Sequence, residues 1–150
     1  MEPGVDELVA RVSDALAGIR GIRVAYLFGS RARGTARPDS DLDIAVLYDP
    51  LLDASGREAV RRDVIDRLAD SIGALGERAD VVDLNRAGSA VGFRVIRDGR
   101  RLLERDRAER VRLEARIARA YDDERPRREL LRRGAIEAGR RLGAQVTGRS

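Results

Sequence analysis

Ten residues separate the dipeptide Gly29-Ser30 from the triplet Asp41-Leu42-Asp43. Two acids spaced by one residue on a strand point to the same face, about 6.5–7 Å apart along it. Carboxylates so placed can share one or two Mg²⁺ ions, which prefer oxygen ligands. Two metals about 3.5–4 Å apart can hold both the attacking and the leaving oxygen of an in-line displacement. Gly29 has no Cβ, so its backbone can approach a phosphate closely. Ser30 offers a backbone N–H and a hydroxyl, and a short helix starting there adds a dipole that favours anions. Arg31 and Arg33 stand in the same loop. Arg33, beside Gly34, is placed to neutralise phosphate charge; for Arg31 plain surface exposure is an equally good account. Together these residues describe a grip on a nucleoside triphosphate through a divalent metal.

A third acid is needed to complete a two-metal site or to take the proton from an attacking hydroxyl. The chain has no His, so a carboxylate is the natural candidate. Asp80 and Asp83 lie on the third predicted strand. They are three residues apart, point to opposite faces and stand about 10 Å apart along the strand. If that strand runs parallel to the first, its end reaches the site, and Asp83 is the third carboxylate. Asp83 also sits in the apolar run Val81-Val82-Asp83-Leu84, where an unpartnered carboxylate is costly.

Apolar positions then place the elements. Val5, Leu8, Val12, Leu16 and Ile19 recur at helical spacing after Pro3. Arg23 to Phe28 is a strand closed by Gly29, and Leu42 to Tyr48 is a second strand, apolar on most of both faces. As antiparallel neighbours, these two bring the acids to the Gly-Ser turn. Ser55 with Glu58 fits a capping box for a long helix through Val60, Val64, Leu68, Ile72 and Leu75. Arg78 to Leu84 reads as a third strand, Ser89 to Arg97 as a helix ended by Gly99, and Arg101 to Leu103 as a short edge strand. From Asp106 onward the pattern is helical, with Leu113, Ile117 and Tyr121 on one stripe and a further helix opened by Pro126. The final residues are expected to fray. The order predicts an α+β fold, a small mixed sheet covered by helices with a C-terminal helical extension. Residues 1–105 form the sheet domain, and 106–150 form the extension within the same structural unit.

The composition excludes several chemistries. The chain has 150 residues, no Cys and no His, and all of its 30 basic residues are arginine. A disulfide scaffold, a thiol nucleophile, a His base and a Cys/His zinc site are therefore out. Without lysine or a Gly-x-x-x-x-Gly-Lys-Ser/Thr string, the phosphate-loop NTPases are out as well. No apolar stretch reaches about 18 residues, and Met1 to Gly4 does not read as a secretory signal. Both fit a cytoplasmic protein, as does the lack of Cys. Net charge is +4 but uneven: residues 1–104 hold 16 Arg against 18 acids, residues 105–150 hold 14 against 8. The basic tail could meet an acidic partner or RNA. Aromatic residues are only 3% of the chain, which leaves few stacking platforms for RNA.

The string FGSRARGTARPDSDLDIAVL, with ADVVDLNRA from Ala79 to Ala87 and VIRDGRRLLERD from Val95 to Asp106, resembles the minimal nucleotidyltransferase domains of the DNA polymerase β-like superfamily. The likeness covers roughly residues 20 to 106. It implies that fold, with Asp41, Asp43 and Asp83 as Mg²⁺ ligands and catalytic carboxylates and Gly29, Ser30 and Arg33 binding the nucleotide. It implies ATP as donor and transfer of AMP with release of pyrophosphate. It further implies a partner: many stand-alone members are antitoxins that add AMP to a tyrosine of a HEPN-domain ribonuclease toxin. HEPN ribonucleases themselves rely on an Arg-to-His motif, which a chain without His does not have. Two alternatives stay open. One is adenylylation of a small molecule such as an aminoglycoside, for which about 45 C-terminal residues offer little acceptor pocket without a dimer. The other is neutralisation by binding alone, with the tail helices laid into a partner's groove.

Overall fold

The computed structural model describes residues 2–147; the fraying expected at the extreme C-terminus falls on 148–150, outside the described residues. Helix α1 (Val5–Ala17) turns Leu8, Val12 and Leu16 inward, as their spacing dictates. Strand β1 (Ile22–Phe28) follows and is buried along almost its whole length. The single-turn helix α2 (Ser30–Arg33) ends at Gly34, whose left-handed φ of 74° supplies the C-cap. Strand β2 (Leu42–Tyr48) has the same burial pattern as β1. Each is sandwiched between helices, hence the near-continuous apolar runs.

Helix α3 (Ala54–Ile72) is capped by Asp53, whose side chain accepts the Gly56 N–H at 2.7 Å. The expected Ser55–Glu58 capping box does not form, because the aspartate two residues earlier already takes the capping position and Glu58 pairs with Arg61 instead. A one-turn helix, α4 (Ala74–Glu77), precedes β3 (Ala79–Asp83). Helix α5 (Ser89–Asp98), strand β4 (Arg100–Glu104), helix α6 (Arg107–Asp123) and helix α7 (Arg125–Thr147) complete the described residues.

The strands form one sheet in the order β3-β2-β1-β4. Strand β1 is antiparallel to both β2 and β4. Strand β3 is parallel to β2, and so runs opposite to β1. Strand β3 is thus antiparallel in direction to β1, not parallel to it as expected from the sequence. The reason is the connection: β2 and β3 are joined by a long helical crossover, which lays the incoming strand parallel to the outgoing one.

Each face of the sheet has its own core. On one, Val12 and Leu16 of α1 and Val64 and Leu68 of α3 cover Ile22, Leu27, Leu42, Ile44 and Val46. On the other, Val95 of α5 and Leu113 and Ile117 of α6 cover Val24, Tyr26, Phe28, Ala45 and Leu47. The Tyr26 hydroxyl donates to Glu114 at 2.8 Å, and burial pushes that phenol well above its ordinary pKa. Tyr121 at the end of α6 stacks on Phe93 of α5, with centroids 3.9 Å apart, and the Arg128 guanidinium of α7 lies 3.5 Å over its ring. Tyr121 therefore works within the chain. Helix α7 itself leaves Leu130, Leu131, Leu142 and Val146 exposed.

These contacts make α6 and α7 energetically unlike. Leu113→Ala, at a site 2% exposed, should destabilise the protein by about 2–5 kcal/mol in urea unfolding. Leu131→Ala, at a site 65% exposed, should stay within about 0.5 kcal/mol of wild type.

Candidate active site

The antiparallel register of β1 and β2 sets Phe28 opposite Asp43. Gly29, the next residue, therefore lies against the start of β2. Its φ of 75° and ψ of −160° fall in a region essentially reserved for glycine. There is a second reason for glycine here: a Cβ at this position would collide with Asp43 Oδ2. The turn and the carboxylate are thus in direct contact. Asp43 shares its sheet face with Ala45 and Leu47, the face covered by α5 and α6.

The parallel register of β2 and β3 pairs Asp43 with Asp80, not with Asp83. Asp83 sits opposite Val46, on the α3 side of the sheet, where its carboxylate lies 3.9 Å from Arg57 and accepts the Asn85 N–H at 2.8 Å. The expectation that Asp83 joins Asp41 and Asp43 is therefore corrected: Asp80 is the acid of β3 that reaches them. The crossover between β2 and β3 was the available signal, since it fixes the direction of β3.

A cleft of about 400 Å³ opens at this end of the sheet. It is lined by Phe28, Gly29, Ser30 and Arg33 from β1 and α2, by Asp43, Asp80 and Val82 from β2 and β3, and by Val91 and Arg94 of α5. Asp41 is exposed, one residue ahead of β2. Arg94 is a cleft residue that the spacing arguments missed. Its signal was faint: Val91 and Arg94 are one turn apart on a helix whose neighbour Val95 is fully buried. Helix α2 has a single turn, so its dipole is small; the cations near the cleft are Arg33 and Arg94. Arg31 is neither a cleft residue nor exposed. It is buried and donates to the carbonyls of Arg37 and Ser40.

The acids crowd one another. Burial raises the pKa of Asp43, and the nearby Asp80 and Asp41 carboxylates raise it further, while Arg94 and Arg33 pull it back. Such a cluster suits an added cation, and the all-oxygen donor set suits Mg²⁺ in particular. Among the described residues no three acidic side chains close into a ready-made metal cage.

Comparison with known proteins adds to this geometry. A family model described as "Polymerase beta, Nucleotidyltransferase" matches residues 11–108. The chain is similar to a protein from Shewanella oneidensis named protein adenylyltransferase MntA, with 36% identity over 81 residues. That match covers 54% of this chain and 53% of the relative, so the chain spans about half of the relative's length. In structure it is similar to a toxin–antitoxin crystallised with AMP-PNP, at TM-score 0.65 and 26% identity over 85% of this chain and 98% of that one. It is also similar in fold to a chain from the complex of tri-AMPylated Shewanella oneidensis HEPN toxin with MNT antitoxin. There the TM-score is 0.56 at 22% identity, over 88% of this chain and 95% of that one.

The contact between Gly29 and Asp43 can be measured as a coupling. Gly29→Ala should cost about 1–3 kcal/mol from backbone strain, and more where Asp43 is present. A double-mutant cycle with Asp43→Ala, read by chemical unfolding, should return a coupling of about 1 kcal/mol or more.

Proposed function

Because this chain belongs to the polymerase β nucleotidyltransferase family, we propose that it transfers AMP from ATP to a tyrosine of a HEPN ribonuclease toxin and so neutralises it. The observation that carries the proposal is the convergence of the Gly29-Ser30 turn, Asp43, Asp80 and two arginines on one cleft. The relatives supply the acceptor class: one is named a protein adenylyltransferase, and another comes from a complex with an AMPylated HEPN toxin. The reaction belongs in the cytoplasm on this reading. No helix among the described residues is long and apolar enough to cross a membrane.

Each residue has a task in this scheme. The Gly29 backbone and Ser30 seat the triphosphate, and Arg33 and Arg94 neutralise its outer charges. Asp41, Asp43 and Asp80 are the residues that would hold Mg²⁺, which when bound supplies positive charge against the triphosphate. Asp80, an exposed residue of the cleft lining, is also placed to take the proton from an entering tyrosine hydroxyl. The tyrosine oxygen bonds to the α-phosphorus, the bond from that phosphorus to the bridging oxygen breaks, and pyrophosphate leaves with the electron pair. The open cleft admits a side chain brought by another protein.

A second reading has its own observation. The exposed Leu130, Leu131, Leu142 and Val146 of α7 offer a surface for binding without chemistry. One experiment separates the two. Incubated with its HEPN partner and MgATP, the protein should raise the partner's mass in AMP steps and suppress its ribonuclease activity. Asp41→Ala combined with Asp43→Ala should abolish both effects. Full suppression by that double variant would favour the binding-only reading, and no mass gain with wild type would end the transferase reading.

The third acid has a separate test. Asp80→Asn should lower kcat by about 10²–10⁴-fold. Asp83→Asn should leave it within about threefold of wild type, less than about 1 kcal/mol in the barrier. Arg94→Ala should raise KM for ATP about tenfold, the order expected for losing one charge-assisted contact.

A further inference from the structure

Arg31 is the one charged side chain among the described residues that is buried, at 6% exposed. A guanidinium taken out of water is costly unless its donors are used. Here they are. Nη2 donates to Ser40 O at 2.8 Å and to Arg37 O at 3.2 Å, and Nε donates to Ser40 O at 3.3 Å. Nη1 reaches Glu2 at 3.3 Å, a partner that is itself half exposed. The loop it grips is braced from within: the Ser40 N–H donates to Arg37 O at 3.0 Å, and the Arg37 N–H donates to Ser40 Oγ at 2.9 Å. Asp41 is the next residue.

We propose that Arg31 is a positioning residue of the candidate site, fixing Asp41 relative to the Gly29-Ser30 turn by clamping the carbonyls of Arg37 and Ser40. The inference rests on the nucleotidyl-transfer reading above. It gives the ten-residue spacing a physical meaning. Arg31 leaves the turn one residue after Ser30, and its guanidinium closes the intervening loop one residue before Asp41. Both halves of the motif are thereby tied to one side chain. Its role is geometric, since its donors go to the loop carbonyls of Arg37 and Ser40 and to Glu2. The planar fork is required: an ammonium is a point charge that does not span two carbonyls in the same way.

The test uses Arg31→Lys, Arg31→Met and the control Glu2→Gln in the full chain, with a HEPN partner and MgATP. For the two Arg31 variants, kcat for AMP transfer should fall by about 10²-fold, the order expected for a misplacement of about 1 Å. Affinity for AMP-PNP should stay within about threefold, because Ser30, Arg33 and Arg94 are untouched. Glu2→Gln should remain within about twofold, as Glu2 is half exposed and the amide oxygen of Gln can still accept from Nη1. Amide hydrogen exchange should rise in residues 35–41 and stay at wild-type values in the β1–β2 core. Unchanged kcat in both Arg31 variants overturns the proposal. So does a parallel fall of kcat, AMP-PNP affinity and melting temperature, the mark of general loosening. If wild type itself transfers no AMP, the proposed function fails, and exchange alone then decides: unaltered exchange at 35–41 in Arg31→Met overturns the positioning role.

Discussion

The candidate site depends on one contact, the Gly29 backbone against the Asp43 carboxylate. Two independent facts require glycine there: a backbone conformation that side-chain-bearing residues avoid, and an oxygen standing where a Cβ would go. The antiparallel pairing of β1 and β2 creates the contact, because it sets the last residue of one strand opposite the first acid of the other. The apolar runs of both strands hold that register. A slip by one residue would turn Asp43 into the core shared with α1 and α3, where a carboxylate has no partner. Packing on both faces of the sheet thus fixes the position of a polar group at its rim.

Much of this was legible in the sequence because it is local. The Gly-Ser turn, the alternate acids and the apolar stretches that flank them lie within about 25 residues, and periodicity alone puts both acids on one face. Strand order and direction are not local. The choice between Asp80 and Asp83 turned on which way β3 runs, and that depends on a helical crossover of some thirty residues. The rule linking such crossovers to parallel pairing was available and decides for Asp80. Arg94 was hidden for another reason: it reaches the cleft only because α5 packs back across the sheet, a tertiary fact. Arg31 gave no signal, since nothing in the string distinguishes a buried arginine from an exposed one.

Arginine does several kinds of work here. Arg31 holds a loop, and Arg105 donates to the carbonyls of Ala17, Ile19 and Ile22, closing the end of α1 onto β1. Arg110 bridges Glu104 and Glu114, the latter being the acceptor for Tyr26. Arg33 and Arg94 face the cleft. Five arginines with four tasks explain why net charge says little about function in this chain. A planar fork satisfies backbone carbonyls where a lysine would leave them partly unmet.

The helical crossover α3–α4 lies on the face of the sheet away from the cleft. Its packing residues touch α1 and the far side of β2, and none of them lines the cleft. Selection on chemistry and selection on the outward surface of this connection are therefore separable. A descendant could lengthen, shorten or repaint the crossover helix with new surface residues while its phosphate-handling rim stayed intact. The outward surface of that crossover is where lineages of this architecture are free to diverge.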